Sequence, residues 1–301
     1  AGLWVQEQAQ VVIDGDTGRL TAVGGGSGSS KLGNTSLAAG IGASRAHASN
    51  KNDPWKSNVG TITIKGGVIS ATGGAAGSYG GPGIGGGSND SSITITGGDV
   101  TANAGYTNNA GSAGIGSAYS QGGIKTITIS GGTVNATGGS AGIGGGAYQG
   151  AGVILIDGGT VTAESKGVGA GIGGGGGAWA DNVRDANKNT AMGSKGVITI
   201  KGGVVSATGS TYGAGIGGGG CEDQAGDKSG AQASGDITIE GGVVTAKGGS
   251  YGPGIGSGAV VSHNGKSVAG NSGKMGTITI SGSSVEAENG DKFVQVGTES
   301  T

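Results

Sequence analysis

The chain has 301 residues, of which 79 are glycine, and 17 basic and 19 acidic side chains give it a formal net charge of −2. This balance gives no argument for binding nucleic acid or an anionic membrane surface, and no apolar run approaches the roughly 18 residues of a membrane helix. The single cysteine, Cys221, excludes an internal disulfide framework. Glycine at this level indicates disorder unless the sequence repeats, and this sequence repeats.

The first ten residues, AGLWVQEQAQ, show no charged region followed by an apolar region, so they do not predict a signal peptide. We expect a mature protein or a segment of a larger exported protein. Scarce cysteine and abundant Gly, Ser, Thr and Asn are compatible with an extracellular or cell-surface protein of bacteria. The segment Asp14-Gly15-Asp16-Thr17-Gly18 lacks the later acidic residue of an EF-hand loop and predicts a turn.

One phrase recurs in eight copies along the chain. An Ile-Thr-Ile segment is followed by a Gly-rich turn, by a second segment such as Val134-Asn135-Ala136, and by a Gly-Ile-Gly segment such as the one around Ile143. The copies are centred on Ile13, Ile64, Ile95, Ile129, Ile156, Ile200, Ile239 and Ile280. The Gly-Ile-Gly segments surround Ile41, Ile84, Ile115, Ile143, Ile172, Ile216 and Ile255, and Val294-Gln295-Val296 is expected to replace them in the last copy.

Three short strands in each copy predict a solenoid. Side chains of a strand alternate between its two faces, so the Ile pair, the Val and Ala of the second segment and the Ile of Gly-Ile-Gly point the same way. Strands this short bury that apolar set only when copies stack as coils. We therefore predict one domain over residues 1–301, an all-β, right-handed parallel β-helix of about eight coils and on the order of 40 Å in length.

The glycines beside the buried Ile are expected to adopt positive φ angles and to leave a third face of nearly bare backbone. Such a face either turns sharply or lies against something flat. Trp4, near one end of the chain, is expected to cap that end of the rod.

The phrases resemble the Gly-rich ITI-GG-VxA-GIGGG repeats of bacterial surface and secreted proteins, in the right-handed parallel β-helix class with the pectate-lyase-like superfold. The resemblance spans almost the whole chain and implies polysaccharide binding or cleavage. Polygalacturonase-like hydrolases of this class carry Asn-Thr-Asp, Asp-Asp and Gly-His-Gly motifs. None of these motifs is present, and the only histidines, His47 and His263, occur in other contexts.

The connection from Gly-Ile-Gly to the next Ile-Thr-Ile is the variable part of the repeat. Long connections are predicted at Ala43 to Gly60, Gly175 to Gly196, Gly219 to Gly235 and Ser257 to Gly276, and short ones at Ser88 to Ser91, Ser117 to Gly123 and Ala147 to Gly152. Because all occupy one corner of the coil, the long loops should form two walls around a groove roughly 15 Å wide. A groove across a rod suits an extended polymer.

Aromatic residues in these loops are candidate sugar-binding residues. Trp55 and Trp179 belong to the walls, and Tyr119 and Tyr148 to the groove floor. Their rings combine an apolar face with a polar edge, which suits the C–H face of a sugar. Arg184 completes the predicted carbohydrate-binding set. The alternative is that each Trp anchors its own loop.

Acidic residues of the fifth and sixth loops leave three interpretations open. The residues are Asp181, Asp185, Glu222, Asp223 and Asp227. Acids from adjacent coils can reach the roughly 5 to 9.5 Å separation that glycoside hydrolases use. Together with Asn182 and Asn187 they offer oxygen ligands for Ca²⁺. With Arg184 and Lys228 they form an ordinary solvated surface. Cys221 has no histidine near it in sequence, so nothing supports a nucleophilic role.

The favoured function from sequence is recognition of an extended glycan, and a polysaccharide-cleaving enzyme is the alternative. A structural or adhesive stalk that associates through its coil ends is a third reading. A fourth is ice binding by outward rows of hydroxyls. The predicted rows are Thr63, Thr94, Thr128, Leu155, Thr199, Thr238 and Thr279, with Thr61, Ser92, Thr126, Val153, Val197, Asp236 and Thr277 beside them.

Overall fold

The computed structural model shows the predicted architecture, a right-handed parallel β-helix of eight coils. It describes residues 1–27, 36–45, 58–76, 79–87, 91–105, 111–119, 123–177, 196–223, 234–262 and 276–292. Three parallel sheets of eight strands each run the length of the helix. Over these ranges the chain forms no helix of the length and apolarity required to cross a membrane.

The first sheet, called here the ITI sheet, contains the Ile-Thr-Ile segments. The coils are numbered 1 to 8 by the order of its strands along the chain. Its strands are Gln10–Ile13, Thr61–Ile64, Ser92–Ile95, Thr126–Ile129, Val153–Ile156, Val197–Ile200, Ile237–Ile239 and Ile278–Ile280. The predicted coil centres are in register, as in the pairs Ile129 with Ile156 and Ile156 with Ile200. Each strand is short, and its apolar side chains are covered only by neighbouring coils.

The second sheet, called the VxA sheet, follows an x-Gly-Gly turn in most coils. Its strands are Arg19–Val23, Val68–Thr72, Asp99–Asn103, Thr133–Gly138, Thr160–Ser165, Val204–Thr208, Val243–Lys247 and Ser284–Glu288. Val134 pairs with Val161 and Ala136 with Ala163, so each inward residue stacks on its own kind.

The third sheet, called the GIG sheet, contains the seven Gly-Ile-Gly segments and one strand that the repeat did not predict. Its strands are Leu3–Trp4, Ile41–Gly42, Ile84–Gly86, Ile115–Ser117, Ile143–Gly144, Ile172–Gly173, Ile216–Gly217 and Ile255–Gly256. Leu3 pairs with Ile41, and Trp4 with Gly42. Trp4 lies in the first strand, as a cap would, yet it is 56% exposed. Residues 294–296, expected to supply the last strand, lie outside the described ranges.

The core is a set of stacked Ile, Val and Ala side chains from the three sheets. Ile64, Ile95, Ile127 and Ile143 are completely buried, as the alternation of strand side chains predicts. Burial ends at the last coil, where Ile280 is 50% exposed and, among the described strands, only Ile237–Ile239 pairs with its strand. The interior coils therefore protect one another.

The Gly-Ile-Gly segment is not a bare outer face, and this differs from the sequence-based expectation. In the fourth coil the Ala141 amide donates to the Gly145 carbonyl at 3.1 Å, which closes a loop with Ile143 at its inward tip. The same bond recurs around Ile41, Ile115, Ile172 and Ile216. Residues 138–147 are all buried. The flanking backbone thus folds over the tip and leaves no flat surface there.

Glycine is required at this tip for two reasons. The glycine after the Ile has a φ between +129° and +142° in all seven coils, a region that favours glycine. A Cβ atom on Gly144 would also lie 2.1 Å from the carbonyl oxygen of Gly173 in the next coil. The expectation of positive φ is therefore confirmed, and close stacking of backbones is an added constraint.

Three small sheets extend from the connecting segments. Gly26–Ser27, Ser36–Ala38 and Ser44–Arg45 pair antiparallel in the first coil, as do Ala75–Ala76 and Tyr79–Gly80 in the second. Cys221–Asp223 and Val260–Ser262 pair parallel, joining the connections that leave coils 6 and 7.

Candidate functional site

The structure brings together two of the predicted sugar-binding residues. Tyr119 lies in the connection from coil 3 to coil 4, and Tyr148 in the connection from coil 4 to coil 5. Their ring centroids are 5.7 Å apart and the rings are inclined by 79°, an edge-to-face contact. Both side chains are half-buried. The pair is therefore an angled aromatic step between adjacent coils, not one flat platform.

Tyr148 has an unusual backbone conformation. Its φ is +65°, and among the described residues only Gln8 is another non-glycine residue with a positive value. The Gln149 amide donates to the Gly146 carbonyl at 2.9 Å, so Tyr148 is the third residue of a tight turn where glycine or asparagine is usual. An aromatic residue at such a position costs conformational energy, and residues of this kind cluster at functional sites.

Hydrogen bonds to coil 5 hold this turn. The Tyr148 amide donates to the Gly176 carbonyl at 3.1 Å, and the Gln149 carbonyl accepts from the Gly175 amide at 3.0 Å. Because the Tyr148 amide and the Gln149 carbonyl are both bonded to the next coil, the solenoid fixes the backbone position of Tyr148.

Tyr119 is positioned by a buried serine. The hydroxyl of Ser112, which is completely buried, donates to the Gly80 carbonyl at 2.5 Å and accepts from the Tyr119 amide at 3.1 Å. The Ser112 side chain, at the start of the Gly-Ile-Gly loop of coil 3, thus connects the backbone of Tyr119 to the preceding coil. Ser140 holds the corresponding place in coil 4, but its buried hydroxyl finds no hydrogen-bond partner within the described part of the chain.

We expect Ser112→Ala to lower the free energy of unfolding by about 1–3 kcal/mol, because it removes the hydroxyl that bonds the partly buried Tyr119 amide and the buried Gly80 carbonyl. Ser140→Ala, the matched substitution one coil away, should change it by less than about 0.5 kcal/mol, since that hydroxyl has no hydrogen-bond partner among the described residues. Denaturant titration of both variants measures the difference. Equal midpoints for the two variants would contradict the role assigned to Ser112.

The other predicted sugar-binding residues, Trp55, Trp179 and Arg184, lie outside the described residues. The same is true of the predicted catalytic residues Asp181, Asp185 and Asp227. Glu222 and Asp223 contribute backbone to the strand Cys221–Asp223, and their side chains are outside the description. The convergence of these acids and the groove walls therefore stay predictions.

A calcium site also stays a prediction. Asn182 and Asn187, with the acids beside them, fall outside the described ranges, and within those ranges no cluster of three His, Cys, Asp or Glu residues is arranged to hold a metal ion. Cys221 is buried in its strand. Burial gives no support to a nucleophilic role for its thiol, in agreement with the sequence.

A second aromatic pair was missed by the sequence analysis. Tyr212 and Tyr251, in the corner between the VxA and GIG sheets, stack with centroids 5.6 Å apart and an angle of 23°. The Lys292 ammonium group lies 5.4 Å from the centroid of the Tyr251 ring. Each of the three stands at the same place in its coil, so aligning the repeats on this corner reveals the ladder. Because the rings face one another and the lysine, we regard it as packing between coils 6, 7 and 8.

The outward hydroxyl rows of the ITI sheet are in register. Thr63, Thr94 and Thr128 are paired in consecutive coils, and the Ser92 hydroxyl donates to that of Thr61 at 3.5 Å. In coils 5 and 6 Val153 pairs with Val197, and both are about 40% exposed or more. The rows exist as predicted, with an aliphatic interruption in the middle.

Comparison with known families supports the fold. The family model described as Beta helix repeat matches residues 93–119, 127–147, 154–176, 198–220 and 237–259, which lie in coils 3 to 7. The chain is similar to that family over these segments. No curated protein and no solved structure gives a significant match.

Proposed function

We propose that this protein is a carbohydrate-binding β-helix that holds an extended glycan at the corner of Tyr119 and Tyr148. The observation that supports the proposal is the contact between these two rings on adjacent coils, with one of them kept in a conformation that ordinarily belongs to glycine. Half-exposed tyrosines offer an apolar surface for the C–H groups of a sugar and hydroxyls for its polar edge.

The scaffold suits this role because the corner is rigid. Loops that carry binding residues on a rigid frame are common in proteins. Here the Tyr148 amide is bonded directly to the next coil, and the Tyr119 amide is bonded to Ser112, whose hydroxyl is bonded to the preceding coil. A rigid site loses little conformational entropy on binding. Such a protein would act outside the cell or at the bacterial surface, where polysaccharides are available.

We expect Tyr148→Gly to weaken binding on the order of tenfold, the effect of truncating an aromatic anchor, while leaving the fold intact. Glycine is the residue that best adopts a φ of +65°, so lost binding would not be due to unfolding. The measurement is depletion of the protein by a panel of insoluble polysaccharides, with affinity electrophoresis for soluble ones. Unchanged circular dichroism would confirm the fold.

Tyr251→Ala is the matched control, because it removes a paired tyrosine from the opposite corner of the Gly-Ile-Gly loop. It should bind as the wild type does. Equal losses in Tyr148→Gly and Tyr251→Ala, or binding that survives removal of both Tyr119 and Tyr148, would contradict this site.

The polysaccharide-cleaving alternative is tested in the same tubes by newly released reducing ends. Release that Asp181→Asn or Glu222→Gln abolishes would make the protein an enzyme. Absence of both binding and release across the panel would favour a stalk, with association through its coil ends. Ice binding stays a weaker prediction: the register of Thr63, Thr94 and Thr128 favours it, whereas the aliphatic patch and the charge of Asp236 break the regular array.

A further inference from the structure

One residue of the same corner departs from the pattern of its row. The position two residues before the first inward-facing residue of each ITI strand is occupied by Ala9, Gly60, Ser91, Lys125, Gly152, Gly196, Gly235 and Gly276. The Lys125 amide donates to the Ser91 carbonyl at 3.1 Å, and the Lys125 carbonyl accepts from the Val153 amide at 3.0 Å. Lys125 therefore stands in the ladder between Ser91 and Gly152, where it carries the row's only long side chain.

The row favours glycine because backbones of adjacent coils approach closely. A Cβ atom on Gly152 would lie 2.1 Å from the Ile124 carbonyl oxygen, and one on Gly235 would lie 1.6 Å from the Gly196 carbonyl oxygen. Ser91 is buried, whereas Lys125 is exposed. The row thus contains one cation, Lys125. The equivalent residue of the next coil, Gly152, has no side chain that could cover the lysine.

Lys125 begins coil 4, which lies between the two connections that carry Tyr119 and Tyr148. Lys125 follows the connection of Tyr119, and Gly152 ends the connection of Tyr148. Within residues 84–87, 91–92, 115–119, 123–126, 143–153 and 172–177, which form the described corner of coils 2 to 5, Lys125 carries the only charge. No carboxylate in those ranges neutralises it.

Given the proposed function, on which this step rests, we infer that the corner of Tyr119 and Tyr148 takes an anionic polysaccharide, with Lys125 as the partner of its acidic group. The ammonium group is a compact point charge that accepts carboxylate or sulfate without a fixed geometry. The chain as a whole has a net charge of −2, so it has no general attraction for polyanions. Within the described corner, Lys125 is the residue that can give a preference for a charged glycan.

The experiment compares polymers that share a backbone and differ in charge. Wild-type protein is titrated with carboxymethylcellulose and hydroxyethylcellulose, and with dextran sulfate and dextran, at low and high salt. We expect tighter binding to the charged member of at least one pair, and the pair that shows it identifies carboxylate or sulfate. Lys125→Gln should lower that affinity about two- to five-fold, as for one exposed ion pair, and remove its dependence on salt.

Lys201→Gln is the matched control, because Lys201 is an exposed lysine in the turn between the ITI and VxA sheets. It should leave the preference unchanged. Equal binding of charged and neutral polymers by the wild type, or equal effects of Lys125→Gln and Lys201→Gln, would overturn the anionic preference and leave the proposed function standing. A roughly tenfold weaker binding of charged and neutral polymers alike in Tyr148→Gly would support the proposed function independently of charge. No binding of any polymer by the wild type would overturn both proposals.

Discussion

Gly144→Ala is expected to destabilise the protein by about 3–5 kcal/mol or to prevent folding, at the upper end of the range for single substitutions. Gly144 has a φ of +129°, and an added Cβ would meet the Gly173 carbonyl oxygen at 2.1 Å. The added methyl group cannot move away from that oxygen, since the backbones of residues 144 and 173 are held together by hydrogen bonds of the same sheet. Thermal unfolding followed by circular dichroism measures the effect.

Gly18→Ala provides the matched control for this substitution. No atom lies within 4 Å of the Cβ that alanine would add there. We expect a change between zero and a stabilisation of about 1 kcal/mol, because alanine reduces the entropy of the unfolded chain. Similar melting temperatures for Gly144→Ala and Gly18→Ala would show that the Gly-Ile-Gly loops are not closely stacked.

Ile156→Ala is expected to cost about 2–5 kcal/mol, the range for emptying a well-packed site. Ile156 is completely buried and is paired on both sides, with Ile129 and Ile200. The cavity cannot collapse easily because the backbone spacing is set by hydrogen bonds between coils. Denaturant titration of the variant gives the loss in free energy of unfolding.

Ile280→Ala removes the same atoms from the equivalent position of the last coil. Ile280 is 50% exposed and pairs with Ile239 on one side. We expect at most about half the cost, since half of the side chain remains in water when the protein folds. Equal costs at the two positions would mean that the last coil is covered by something outside the described residues.

Much of the fold could be predicted because the same pattern of inward-facing apolar residues occurs in all eight copies of the repeat. Ile13, Ile64 and the other coil centres lie in one register, and a shift of one residue would turn every buried Ile to the solvent. Leu3–Trp4 escaped prediction because it has no Gly-Ile-Gly motif. Its place in the GIG sheet comes from pairing with Ile41, a contact between segments far apart in the chain.

The candidate site was predicted only in part. Loop position and residue type pointed to Tyr119 and Tyr148 as candidates, and the structure shows their rings in contact, which the sequence did not predict. The turn that gives Tyr148 its positive φ and the Ser112 hydroxyl that holds Tyr119 are both hydrogen-bonded to neighbouring coils. Such bonds leave no local pattern in the sequence, because serine and tyrosine also occur in loops that make no such bonds.

By itself the sequence determined which residues face the interior and how the coils align, since strand alternation and the repeat leave one arrangement that buries the Ile side chains of the interior coils. Tertiary structure alone decided how the Gly-Ile-Gly segments close over their own tips and which side chains of different coils meet. Ile143 illustrates the first and the contact of Tyr119 with Tyr148 the second. The physical reason is that the alternation of apolar residues is present in the sequence of each coil, whereas a contact between two coils depends on the backbone geometry of both.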